Sequence, residues 1–477
     1  MTLTRRHLLA ALSTASAYSQ TTFDTAINNG RVICPANNLD AIRSIGITNG
    51  VITAISPTPL KAKRVIDAKN HVVSPGFIDL HVHRQDDENN RYKARDGVTT
   101  TLELEIGVSP MKPWIDARRG KSLIHYGASV GHVPARMTAT NDTSEWLPAG
   151  PAATRAATDP EQIKTLELLR QGLREGGVGI GMGIAYTPFA SRAEILDVFK
   201  VAAQAKVPIF VHMRGAGAKD PGVVEALQEV ITDAAASGAS LHVVHLNSSS
   251  GRAFELGLSM VRGAKARGID VSYEAYPYIA GMTQLESAIF NPGFREHLDM
   301  DYKDIMLVET GERLNEETFK IHRKKGATVI TFSMREQDID MAMAAPDVIV
   351  ASDGWITNGK GHPRASGSYS HVLATYVRER KVITLKDAIR KMSYLPAARL
   401  EKMVPEMKKR GRINVGAFAD ITVFNPDTVQ DKSTYQNAGQ YSEGIPYVLV
   451  NGTLVVDENK IVEGVFPGQP VMSKVTI

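Results

Sequence analysis

The chain has 477 residues, with 55 Lys and Arg against 51 Asp and Glu, a formal net charge of +4. Its 43% apolar and 22% charged content is that of a soluble globular protein, and its length suits a large barrel with an accessory domain better than one ordinary core. The basic residues are dispersed, which argues against a nucleic-acid partner, and no run beyond the N-terminus approaches the roughly 20 apolar residues of a membrane span.

In chain order, Arg5-Arg6 precede a short apolar run, Leu8–Leu12, and an Ala15-Ser16-Ala17 site. This pattern is that of a twin-arginine export signal over residues 1–17, which predicts a periplasmic or secreted protein. The single cysteine, Cys34, leaves no internal disulfide and reads as a small core residue of an early strand. Asn29-Gly30 and Asn49-Gly50, each between short apolar runs, predict type I′ hairpins. Asn451-Gly452 repeats the signal near the other end. Residues 18–74 and 406–477 therefore share one texture and are expected to pair into a small β-sandwich domain.

Between them, over 75–405, strand, loop and helix alternate. Strand-like runs lie near 76–83, 97–105, 122–130, 177–186, 207–213, 240–247, 269–276 and 347–353. Stretches 193–205, 222–235 and 252–266 have apolar residues at helical spacing. Eight such units predict an α/β fold, a (β/α)8 TIM-type barrel. The segment 279–346 is too long for a simple crossover and predicts an inserted subdomain or lid.

Barrel active sites lie at the C-terminal ends of the strands. Strand one ends in His81-Val82-His83, and the i, i+2 spacing puts both imidazoles on one face, half of a zinc site. Strand two ends in Glu103-Leu104-Glu105, strand five in His212, strand six in His245 and strand eight in Asp353. Each alone has an ordinary explanation, as a core histidine, a turn aspartate or a solvent-facing acid. Five of eight strand ends with ligand chemistry is a metal centre.

This pattern resembles the amidohydrolase superfamily of metal-dependent hydrolases, on Gly76–His83, His212, His245, Asp353 and the C-terminal return Arg410–Phe424. Within it the chain looks most like N-acyl-D-amino-acid deacylases, in the D-glutamate deacylase branch. Further matches are Gly131-His132-Val133-Pro134-Ala135-Arg136, Glu274-Ala275-Tyr276-Pro277-Tyr278 and His362-Pro363-Arg364. Two features depart from the pattern. Strand four, 178–186, has no lysine to bridge two metals, and strand two has no metal-binding cysteine. Glu105 takes that place here, with Glu103 the alternative, and a carboxylate there opens a zinc site toward manganese or iron. Asn247 stands where the relatives carry a carboxylate-binding lysine.

The resemblance implies one or two zinc ions held by His81, His83, Glu105, His212, His245 and Asp353, and hydrolysis of an N-acyl-D-amino acid by an activated water. Asp353 is the expected proton carrier and His132 the expected partner of the oxyanion. Arg364, Tyr186 and Tyr278 are the expected substrate contacts, Arg364 through its planar fork. The partner is thus a small molecule, and a homo-oligomer is compatible with the sequence. Rival expectations are a dipeptidase for D- or β-linked residues, a cyclic amidase of hydantoinase type, and an inactive scaffold of the same fold.

Overall fold

The computed structural model describes residues 22–475, so the twin-arginine segment lies outside the described residues. The N-terminal part contributes β1 (Phe23–Cys34), β2 (Leu39–Thr48), β3 (Val51–Ser56), β4 (Ala62–Asp67) and β5 (Val72–Pro75). Then come β6 (Phe77–Asp79), β7 (Val98–Val108), β8 (His125–Gly131), β9 (Ile180–Gly183), β10 (Pro208–His212), β11 (Ser240–Val243) and β12 (Val271–Ala275). A separate small sheet holds β13 (Ala280–Gln284), β14 (Ile305–Leu307) and β15 (Thr328–Phe332), before β16 (Ile349–Val350) rejoins the barrel. The short pair β17 (Ile356–Thr357) and β18 (Lys360–Gly361) leads away from the barrel mouth. Finally β19 (Ile421–Phe424), β20 (Tyr447–Val450), β21 (Thr453–Asp457) and β22 (Lys460–Ile461) join the first sheet.

The two chain ends do pair. Their strands form one mixed sheet in the order β22-β21-β20-β19-β5-β1-β2-β3, with β4 on β1. Ile27, Val32, Ile45, Ile421 and Leu449 pack in its core with Cys34, which is fully buried. The hairpins at Asn49-Gly50 and Asn451-Gly452 form as expected, with all four residues in the left-handed region. The two turns lie against each other, since a Cβ on Gly50 would meet the Asn451 carbonyl oxygen at 2.7 Å.

Asn29-Gly30 is not a hairpin. β1 runs straight through it, and its register against β2 shifts between Ile27 and Gly30 as a bulge. Left-handed Asn29 serves the bulge instead of a turn. Glycine follows it because β5 crosses close by, and a Cβ there would lie 2.4 Å from the Val73 side chain. The Asn-Gly signal reports a left-handed residue; it does not say whether the chain reverses.

The barrel strands run parallel in the order β16-β12-β11-β10-β9-β8-β7-β6. The ring closes at the mouth, where the Asp353 N–H donates to the His81 carbonyl at 2.8 Å and Val82 bridges Gly354. Helices Arg192–Ala205, Val223–Ser237 and Phe254–Ala266 pack around it, close to the predicted spans. The stretch 279–346 carries the small sheet, with its own core of Leu285, Phe290, Phe294, Ile305 and Phe319. Its last helix, Glu336–Ala344, packs in the barrel core through Ile339, Ala342 and Met343, and thus serves as the crossover to β16.

At the opposite end of the barrel, Asp420 joins the β domain to β8. Its Oδ1 lies 3.0 Å from His125 Nε2 and accepts the Asn451 N–H at 2.8 Å, while Oδ2 pairs with Arg410. His125 Nδ1 accepts the Gln469 N–H at 3.0 Å.

Candidate metal centre

β7 brings two acids to the barrel's inner face because Glu103 and Glu105 share the parity of a strand. Glu105 stands at the centre of four imidazoles. Its Oε2 lies 3.0 Å from His81 Nε2 and 3.2 Å from His83 Nε2. Its Oε1 lies 2.6 Å from His212 Nδ1 and 3.1 Å from His245 Nε2. Asp353 adds Oδ1 at 3.0 Å from His83 Nε2 and 3.4 Å from His81 Nε2. The candidate ligand atoms form two groups that share Glu105, His81–His83–Glu105–Asp353 and Glu105–His212–His245, each within 4.8 Å. His245 and Asp353 both have left-handed backbones, with φ of 32° and 53°. Such strain is held where the surroundings over-determine it, commonly at functional sites.

Glu103 is one layer out. Its Oε2 lies 2.9 Å from His83 Nδ1, and its Oε1 accepts the Ile106 N–H at 3.1 Å. It therefore stands behind His83, and of the two acids Glu105 is the one in the candidate ligand groups. Glu274, on β12, does the same for His81, with Oε1 2.5 Å from Nδ1.

The charge balance tests whether this set fits a metal. Four buried carboxylates, Glu103, Glu105, Glu274 and Asp353, surround the site against one guanidinium, Arg364. Both ring nitrogens of His81 and of His83 face carboxylate oxygens. A neutral imidazole has only one N–H, so one lone pair in each ring meets an oxygen unless a cation stands between. The donors, imidazole and carboxylate, are those of zinc and of manganese or iron. The residues fit a divalent cation. With protons in place of a metal, burial would lower the His81 pKa, but the charges of Asp353, Glu274 and Glu105 outweigh it and hold the ring well above its usual range. Burial likewise opposes ionisation of Glu105, yet His81, His212 and His245 keep its carboxyl well below the usual range.

The centre opens into a cleft of about 430 Å³ between the barrel mouth and the inserted sheet. Tyr186, His212, His245, Tyr276 and Asp353 line its floor, and Ile289, Phe294 and Met300 line the outer wall. That size holds a small organic molecule.

A model of the amidohydrolase family matches residues 72–455. The chain belongs to the amidohydrolase family. Among curated relatives, an N-acyl-D-glutamate deacylase from Alcaligenes xylosoxydans xylosoxydans is 28% identical over 91% of this chain and 94% of its own length. A D-aminoacylase from the same organism is 29% identical, over 91% and 95%. Among solved structures, an N-acyl-D-glutamate deacylase from Bordetella bronchiseptica, complexed with zinc and a phosphonate mimic of the tetrahedral intermediate, superposes with a TM-score of 0.81. It is 27% identical and covers 95% of this chain and 100% of that one.

In this amidohydrolase the six predicted ligand residues and Tyr186 come together at the mouth, and three other expectations need correction. His132 does not line the cleft. It is fully buried as the first residue of a helix, with Nε2 3.0 Å from Glu194 Oε1, and Arg136 holds both oxygens of the same Glu194 at 2.6 Å. His132 opens the helix His132–Thr140 directly after β8, and its ring is turned to Glu194 on the helix Arg192–Ala205. Arg364 is also fully buried and lies behind Asp353, with Nη1 3.0 Å from Asp353 Oδ2 and its guanidinium 4.3 Å from the Tyr276 ring centre. Its first partner is Asp353 rather than a substrate carboxylate. Tyr278 hydrogen-bonds Asp431 Oδ2 at 3.2 Å and stacks on His371, away from the cleft.

Tyr276 is the tyrosine of the cleft, its hydroxyl buried without a partner. Burial pushes that phenol up to about 12, so it remains a donor. The i, i+2 parity that pointed to His81 and His83 also pairs Glu274 with Tyr276, and would have found both. Asn247 is buried and donates to the Tyr276 carbonyl at 3.1 Å.

Proposed function

We propose that the protein hydrolyses the amide bond of N-acyl-D-amino acids, with zinc held by His81, His83, Glu105, His212, His245 and Asp353. The observation that carries the reading is the Glu105 carboxylate ringed by four imidazoles, with Asp353 facing the same cleft. The full-length likeness to deacylases supports the choice of a linear amide. A divalent cation held by this set would acidify a water and polarise an acyl carbonyl.

The chain's own groups do the rest. Burial would raise the Asp353 pKa, but Arg364 and His81 keep it far below the usual carboxylate range, so it is ionised and ready to take the proton of the attacking water. It then delivers that proton to the departing amine nitrogen. Tyr186 and Tyr276 supply hydroxyl donors on the cleft floor, and burial raises both phenols, keeping them protonated. The inserted sheet walls the outer cleft and limits water. Export by residues 1–17 belongs to the same proposal, and Arg5→Lys with Arg6→Lys is expected to retain the enzyme inside the cell.

The deciding experiment is a hydrolysis screen of N-acetyl and N-formyl D- and L-amino acids, with zinc or manganese added to chelator-stripped protein. Turnover of D-substrates that needs metal is the expected result. Cleavage of D- or β-linked dipeptides in preference to N-acetyl-D-amino acids would replace the deacylase by a dipeptidase.

A further inference from the structure

Behind His81 the barrel interior holds a chain of polar side chains that takes no part in the reaction as derived above. Glu274, 1% exposed, places Oε1 2.5 Å from His81 Nδ1 and Oε2 3.0 Å from His242 Nε2. His242 Nδ1 in turn lies 2.7 Å from Ser272 Oγ. Barrel interiors are ordinarily filled by layers of branched apolar side chains. A carboxylate buried there is costly unless its oxygens are hydrogen-bonded. One placement of protons satisfies the whole chain. Ionised Glu274 accepts the Nδ1–H of His81 and the Nε2–H of His242, and His242 Nδ1 accepts the Ser272 hydroxyl proton. His81 is then left with a lone pair on Nε2, facing Glu105 and Asp353 at 3.0 Å and 3.4 Å.

We propose that Glu274, itself held by His242, is the positioning residue that fixes His81 as the Nδ1–H tautomer and presents its Nε2 to the cation. This rests on the reading of His81 as a metal ligand. The backing is one-sided. Carboxylates stand behind His81 and His83, through Glu274 and Glu103, whereas among the described residues His245 Nδ1 faces the Ser249 hydroxyl at 3.2 Å. Loss of Glu274 therefore weakens the cation held by His81 and leaves one held by His212 and His245 in place.

The test uses the full chain stripped of metal, titrated with Zn²⁺ against a chromophoric chelator and with Co²⁺ by its visible spectrum. Glu274→Gln is expected to lower affinity at one class of site about 10- to 100-fold, the usual effect of losing a partner behind a ligating histidine. The Co²⁺ spectrum is expected to change, and Glu274→Asp to recover part of the affinity. A merely structural role would lower the melting temperature and leave the affinity of the folded protein unchanged. Equal Zn²⁺ affinity and an unchanged Co²⁺ spectrum overturn the proposal. Nitrogen-15 NMR of zinc-loaded wild type needs no variant: His81 protonated on Nδ1 supports it, and zinc bound through Nδ1 overturns it. Wild-type protein that takes up no metal removes the metal-centre reading and this proposal together, whereas tight wild-type binding matched by Glu274→Gln removes this proposal alone.

Discussion

The two ends of the barrel use the same residue types to opposite effect. At the bottom, His125, Asp420 and Arg410 form a charge-balanced set: one carboxylate meets one guanidinium, and both imidazole nitrogens have a partner. Burial and the Arg410 charge hold His125 below its usual pKa, so it is neutral. At the mouth, four carboxylates meet one guanidinium, and the imidazoles of His81 and His83 are contested on both sides. The seam balances its charge with protein groups alone, whereas the mouth has an excess of negative charge that a cation resolves. Charge imbalance within a buried cluster, more than the presence of His and Asp, therefore marks a metal centre.

The largest test of this contrast is at Asp353. Asp353→Asn keeps the shape but removes the proton carrier, and turnover is expected to fall about 10²- to 10⁴-fold. Metal content, measured on the same samples, is expected to persist through the remaining ligands. Near-normal turnover with metal bound would show that another group moves the proton.

Next in size is the seam. Asp420→Ala leaves Arg410 buried without its partner and is expected to cost about 3–5 kcal/mol of stability in denaturant unfolding. Metal uptake and turnover per folded molecule are expected to stay as in wild type. If Asp420→Ala instead stripped the metal, the two ends of the barrel would not be independent.

The seam also predicts a pH dependence. Burial opposes the charge on Asp420, but Arg410 and His125 together hold its folded pKa well below the usual aspartate range. The unfolded chain then binds the proton more readily, so stability is fully present above the unfolded value near ~3.9 and is lost as pH falls below it. Asp420→Asn is expected to have a flatter acid limb in a series of thermal melts between neutral pH and pH 3. An unchanged acid limb would mean that other carboxylates govern acid unfolding.

Much of this was legible in the sequence because it rests on strand parity and strand ends. His212 closes β10, and His81, His83, His245 and Asp353 follow shortly after the ends of β6, β11 and β16, so their joint occurrence outweighed the ordinary reading of each one. The misses come where parity is broken or distance matters. His132 follows the end of β8 and begins a helix, so its position near a strand end did not carry it inward. Asn29-Gly30 announced a left-handed residue, and its use in a bulge shows only in the pairing of β1 with β2. The pairing of Arg364 with Asp353 joins residues from different elements, and local pattern contains no signal for it.

The smallest and sharpest test separates the two tyrosines on either side of Pro277. Tyr276 has a buried hydroxyl without a partner in the cleft, whereas Tyr278 spends its hydroxyl on Asp431 outside it. Tyr276→Phe breaks no protein hydrogen bond, so its melting temperature is expected to hold. A lost substrate contact of about 0.5–1.5 kcal/mol would lower kcat/KM about 2- to 10-fold. Tyr278→Phe should show the reverse, a stability loss of about 1 kcal/mol with kcat/KM nearly unchanged. Steady-state kinetics and melts on the pair decide the matter. The opposite pattern would return the substrate contact to Tyr278 and would mean that the chain turns at Pro277 when substrate enters.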